Sequence, residues 1–139
     1  MNPIQNGIDM PRLTFALIVT ALAASVPALA QHMNETDSPC TRVAVTVDLA
    51  NCLAKARDAA DAKLNAAYKQ LRAKLDAADG QRLLATQRLW IQYRDANCAA
   101  ERDLYDGGTA ASPAYLACLE AMTRARTKEL AVTYAVKLK

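Results

Sequence analysis

The chain has 139 residues, 53% of them hydrophobic and 22% charged, with 17 basic and 14 acidic groups, four Cys and one His. That length holds one domain at most. A net charge of +3 with the signs interleaved, as in Lys55-Ala56-Arg57-Asp58, is too mild and too evenly spread for a nucleic-acid binder, which gathers Lys and Arg on one face.

The first 30 residues stand apart. Arg12 precedes an apolar run from Leu13 to Ala24, followed by Pro27 and Ala28-Leu29-Ala30. A basic n-region, an apolar stretch too short for a membrane span of about 20 residues, and small side chains for a peptidase predict a signal peptide over 1–30, with Met10 as an alternative start. Cleavage after Ala30 leaves a chain from Gln31 to Lys139. No Cys follows the apolar run directly, since Cys40 lies ten residues past Ala30, so no lipid anchor is expected. The expectation is a periplasmic or secreted protein with no membrane anchor after cleavage.

In an oxidising compartment, Cys40, Cys52, Cys98 and Cys118 predict two disulfides. A zinc site needs closely spaced ligand pairs, and a c-type haem needs C-x-x-C-H; neither spacing occurs. No metal or other cofactor is expected. His32, the only imidazole, falls in the polar stretch 31–39, read as a mobile tail.

Residues 31–48 carry no helical periodicity, and the β-branched run Thr41–Val47 reads as extended, so an N-terminal extended segment is expected before a helical domain over 49–139. From Leu49 onward Ala dominates, Phe is missing and Gly is confined to Gly80, Gly107 and Gly108, which favours helix. A first helix is predicted from near Asn51 to near Ala78, with Leu53, Ala56, Ala60, Leu64, Ala67, Leu71 and Leu75 on one face. Asp79-Gly80 reads as the turn after it. A second helix carries Leu84, Gln87, Ile91, Arg94 and Cys98 on one stripe, with Leu83, Trp90 and Leu104 beside it, and closes at Asp106-Gly107-Gly108. Ser112-Pro113 reads as N-cap and first turn of a third helix through Leu119, Met122, Thr123, Arg126, Leu130 and Tyr134.

Three helices with short loops predict an all-α, antiparallel three-helix bundle with both disulfides at one end. Folding about the loop near Thr109 brings Cys98 level with Cys118, whereas folding about Asp79 places Tyr105, not Cys98, opposite Cys52. The pairing Cys98–Cys118 with Cys40–Cys52 is favoured. Cys52–Cys98 with Cys40–Cys118 stays open as its rival.

Two places attract functional attention. In Gln87–Cys98, Trp90, Arg94 and Cys98 share one face. Arg94 either bridges to an acid of another helix (Asp58, Asp61 or Glu120) or joins Trp90 and Tyr93 in a recognition surface, since these residue types dominate interface hot spots. The loop from Asp106 to Ser112, with Gly107, Gly108 and Thr109, reads either as a plain turn or as a binding loop preorganised by a disulfide at its base. Catalysis is not expected. Ser112 is explained as a cap, no positioned base accompanies it, Asp103 and Asp106 read as solvated acids rather than a glycosidase pair, and Asp106-Gly107-Gly108-Thr109 lacks a phosphate loop's spacing and Lys.

The residues also form a recognisable pattern. Cys52 opens a helix; Leu64-Asn65-x-x-Tyr68-x-x-Leu71 follows, then Gln87-Arg88-x-Trp90-x-x-Tyr93-Arg94-Asp95-x-x-Cys98, Gly107-Gly108-Thr109, Cys118-Leu119 and Thr123-x-x-Arg126-x-x-x-Leu130. Over about residues 40–131 the chain resembles the lysozyme-inhibitor LprI-type N-terminal domain family of small exported bacterial proteins. That resemblance implies a binding protein, with lysozyme or another envelope protein as partner. The namesake is a lipoprotein, and the missing lipobox implies an untethered form here. The alternative is an envelope adaptor that binds another protein or a cell-wall fragment without inhibiting lysozyme.

Overall fold

The computed structural model describes His32, Met33, residues 35–44 and residues 46–139. The predicted signal peptide lies outside them. Three long helices, α1 (Thr46–Lys74), α2 (Ala77–Asp103) and α3 (Ala111–Thr133), are followed by a single turn, α4 (Ala135–Leu138). No strand occurs among the described residues, and none of their helices is long and apolar enough to cross a membrane.

Helix α3 is the centre of the bundle, with α1 and α2 packed against it. It turns the most residues inward, including Ala114, Ala117, Cys118, Leu119, Ala121, Thr123 and Leu130. The contact pairs fix the directions. Along α2 and α3 they run Cys98 to Cys118, Arg94 to Thr123 and Gln87 to Arg126, so these helices are antiparallel. Leu53 of α1 clusters with Ala117 near the start of α3, and Leu64 and Leu71 with Leu130 near its end, so α1 and α3 run parallel. The order is up, down, up, as the short loops require.

The expected face of α1 is the buried one, through Leu53, Ala60, Leu64 and Leu71. Small side chains such as Ala60 and Ala117 let backbones approach, while area is buried mainly where Leu64, Leu71, Leu83 and Leu130 meet, flanked by Tyr68, Leu75, Trp90 and Tyr134. At the opposite end the disulfides Cys40–Cys52 and Cys98–Cys118 reinforce the frame, in the favoured pairing. Closing loops of 12 and 20 residues, each contributes about 3 kcal/mol by restricting the unfolded chain.

Four local expectations are corrected. Helix α1 starts at Thr46, so Thr46 and Val47 are helical, not extended. Asp79-Gly80 is no turn: Asp76 is the N-cap of α2, its carboxylate accepting the Asp79 N–H at 2.8 Å, and Gly80 is buried in the first turn. Helix α2 ends at Asp103, and its inward stripe runs through Gly80, Leu83, Gln87, Cys98 and Glu101, leaving Ile91 partly exposed and Leu104 79% exposed. Helix α3 is capped by Ala110 without a side-chain bond, so Ser112 is not its N-cap; Pro113 sits in the first turn, where no intrahelical donor is needed.

The segment before α1 is a strap. Successive turn bonds, Ser38 N–H to Glu35 O and Val43 N–H to Cys40 O, fold it, and Ser38 and Cys40 are buried. His32 is not in a loose tail: its Nδ1 lies 2.6 Å from Oε2 of buried Glu101 near the end of α2.

Candidate functional site

The motif residues of α2 form a lattice inside the bundle. The Arg94 side chain is 14% exposed, and its Nη1 donates to Asp61 of α1 at 3.2 Å and to Thr123 of α3 at 3.1 Å, while Nε donates to neighbouring Asp95 at 2.9 Å. Its guanidinium carbon stands 5.2 Å from the Trp90 ring centroid. Arg126 of α3 approaches the same ring at 5.7 Å, donates from Nε to Gln87 at 3.2 Å and pairs with Glu129 at 2.8 Å. Trp90 is thus partly buried with two cations against it, each worth about 1 kcal/mol. Of the three acids offered from sequence as the bridge for Arg94, Asp61 is the one.

Tyr93 points away from this lattice and is 62% exposed, one turn from Leu89 at 66%. The structure therefore brings Trp90 and Arg94 together and separates them from Tyr93 and from the α2–α3 loop.

That loop, Leu104–Ala110, is a relay of turns at the disulfide end. Tyr105, Asp106, Gly108 and Ala111 donate main-chain bonds to the carbonyls of Arg102, Asp103, Tyr105 and Gly108, respectively. Asp106 and Gly107 are left-handed, with φ of 47° and 74°. Gly107, Gly108 and Thr109 are all exposed, and among the described residues no main-chain acceptor meets the N–H of Gly107 or Thr109. The Cys98–Cys118 bridge clamps the base, and Arg102 lies over the Tyr115 ring at 5.6 Å. The result is a small exposed loop, braced by turn bonds and a disulfide at its base, in which two main-chain donors have no main-chain acceptor among the described residues.

Sequence reasoning missed a second cluster. Arg124 holds three acids: Glu120 on its own helix at 3.0 Å, Glu35 at 2.9 Å and Asp37, the last two on the strap. Burial lowers the Arg124 pKa, and the bond to Glu120 with its companions outweighs this, so the group lies above its ordinary value. The hydrogen bond from Arg124 likewise holds the Asp37 carboxyl below its ordinary value of 3.8, against desolvation, which acts in the opposite direction. On the sequence Arg124 reads as one more cation of a solvated helix face; only the strap distinguishes it.

Beside this cluster a trough of about 660 Å³ opens between α1 and α3. His32, Glu101 and Cys118 place one atom each within 4.8 Å of one another, but the Cys118 sulfur is bonded to Cys98 and supplies no thiolate for a metal.

A disulfide-tied helical bundle with its motif residues knitting the interior and an exposed glycine loop outside defines a class: a small helical scaffold whose signature is largely architectural. The chain belongs to the LprI family, whose model, described as "Lysozyme inhibitor LprI", matches residues 37–130. It is 32% identical over 133 residues to a protein of Rhizobium meliloti (strain 1021) described as "Uncharacterized protein R02472", covering 86% of this chain and 90% of that one. No solved structure matches.

Proposed function

We propose that the chain is exported by its first 30 residues, matures at Gln31 and acts in the periplasm as a non-enzymatic binding protein that inhibits a lysozyme by occluding its cleft. The observation that carries this is the family match, which spans the strap from Asp37 onward, both disulfides, the lattice and the loop. A binding role accords with four Cys that are all oxidised and offer no thiolate nucleophile. At net +3 the protein has no long-range attraction to a basic lysozyme, so recognition rests on local fit. The exposed Gly107-Gly108-Thr109 loop suits that purpose, because the Gly107 and Thr109 N–H groups, which meet no main-chain acceptor among the described residues, match a cleft that carries two carboxylates.

A second reading, an envelope adaptor that binds another protein or a cell-wall fragment, draws on exposed Leu89 and Tyr93, an apolar pair on the outer face of α2. One experiment separates the two. Protein recovered from the periplasm is titrated into cell-wall lysis assays with c-type, g-type and i-type lysozymes, alongside Thr109→Trp and Tyr93→Ala. Near-stoichiometric inhibition, weakened at least tenfold by Thr109→Trp with melting unchanged, supports the inhibitor. No inhibition and no binding of any type refutes it, and capture of an envelope partner dependent on Tyr93 then supports the adaptor.

A further inference from the structure

The trough between α1 and α3 has a floor of small apolar groups and a rim of cations. Ala56, Ala59, Ala60 and Lys63 recur at three- and four-residue spacing on α1 and line one wall, while Thr127 and Lys128 of α3 line the other, with Pro39 and Cys52 closing one end. From Cys52 to Lys63 the trough runs about 16 Å along α1. With a volume of about 660 Å³, its mean section is about 40 Å², and the volume is that of a small-molecule site.

Those dimensions and walls select the occupant. A helix about 10 Å across is too thick. An extended peptide would fit by size, but both long walls are helices whose backbone groups bond within themselves, so no strand edge lines the trough to pair with the peptide's N–H and C=O groups. An alkyl chain carries no such groups. Charge then specifies its head. Lys55 and Lys63 have no acid within 4.0 Å among the described residues, and Lys128 reaches only Asp37, at 3.8 Å. Of the two acids that line the trough, Asp37 and Glu120 both already bind Arg124. Buried Glu120 keeps one oxygen, Oε2, without a partner, which repels an anion from its stretch of the wall.

We propose that this trough binds one molecule of a free fatty acid, with its alkyl chain along Ala60 and Ala56 toward Pro39 and its carboxylate at the Lys63 and Lys128 end. The site is independent of the glycine loop, so it stands whether or not lysozyme is a partner.

The test is calorimetric titration of sodium myristate, below its micellar concentration, into disulfide-intact protein recovered from cells expressing the whole chain. Binding at one equivalent is expected. Exposed Ala59→Phe fills the trough, and Lys63→Glu with Lys128→Glu reverses its rim; each is expected to weaken binding at least tenfold with helicity and melting retained. A trimethylammonium amphiphile of the same chain length, butyrate and an acidic pentapeptide are expected not to bind. No heat with myristate, equal binding of the cationic amphiphile, preference for the peptide, or a folded Ala59→Phe protein that binds as before would each overturn the proposal.

Discussion

Arg94 and Asp61 meet at 3.2 Å across the seam between α2 and α1, although 33 positions separate them in the chain. Both helices pack chiefly on α3, so this pair, with Thr123 beneath it, is where one polar side chain reaches all three. A guanidinium suits the position because its planar fork serves Asp61, Thr123 and Asp95 at once and still lies against the Trp90 ring.

Arg94→Ala is therefore expected to lower stability by about 2 kcal/mol in urea denaturation, from lost charge-assisted bonds and packing. Arg94→Lys should restore less than half, since an ammonium cannot reproduce the fork. A change below about 0.5 kcal/mol for Arg94→Ala would refute the structural role.

Arg124→Ala leaves Glu120, 3% exposed, without its cation, and should cost about 3 kcal/mol. Arg124→Met with Glu120→Leu removes both charges and should recover most of the loss. A double-mutant cycle by thermal melting checks this, and additive losses would contradict it.

Acid acts on the strap. Because Asp37 titrates below its unfolded value of 3.8 when paired to Arg124, its contribution is present above that pH and is lost as pH falls through the lowered folded value. Amide-exchange protection across residues 35–40, relative to the intrinsic rate at each pH, should fall below about pH 3.8 before that of α3 does, and Asp37→Asn should abolish the difference.

Two glycines should respond with opposite sign. A Cβ on Gly80 would meet only the far end of the Arg72 side chain, which can swing away, so Gly80→Ala should be neutral or stabilising by up to about 1 kcal/mol. Gly107 has open space but a φ of +74°, so Gly107→Ala should destabilise by about 1 kcal/mol. Melting curves of the two variants provide the check.

The helical face of α1 and the favoured disulfide pairing were readable because each depends on spacing along the chain alone. Asp79-Gly80 misled because a turn dipeptide also fits a first helical turn once a cap stands three residues earlier, here Asp76, and Gly80 sits inside that turn beside the end of the Arg72 side chain rather than at a bend. Ile91 and Leu104 followed the hydrophobic pattern but not the packing, since α3 takes the Gln87–Trp90–Arg94 side of α2. The strap was illegible for a different reason. Residues 31–39 have no periodicity, and what orders the described ones, Arg124 for Glu35 and Asp37 and Glu101 for His32, lies 69 to 89 positions away. The loop glycines were visible as punctuation, whereas which main-chain N–H groups go without a main-chain acceptor, here those of Gly107 and Thr109, depends on three-dimensional turn geometry.

Each disulfide closes within its own portion of the chain: one from the strap to α1, the other from α2 to α3. The peptide bonds through Leu75 and Asp76 are then the sole covalent link between the two portions. A single cut there would release two internally stapled pieces, held to each other by non-covalent contacts alone: the leucine core, the Leu53–Ala117 packing, the Arg94–Asp61 bridge, the His32–Glu101 bond and the ion pairs of the strap with α3. Any tendency of those pieces to reassociate would measure how strongly the strap and α1 together dock on α2 and α3, without a disulfide joining the two sides.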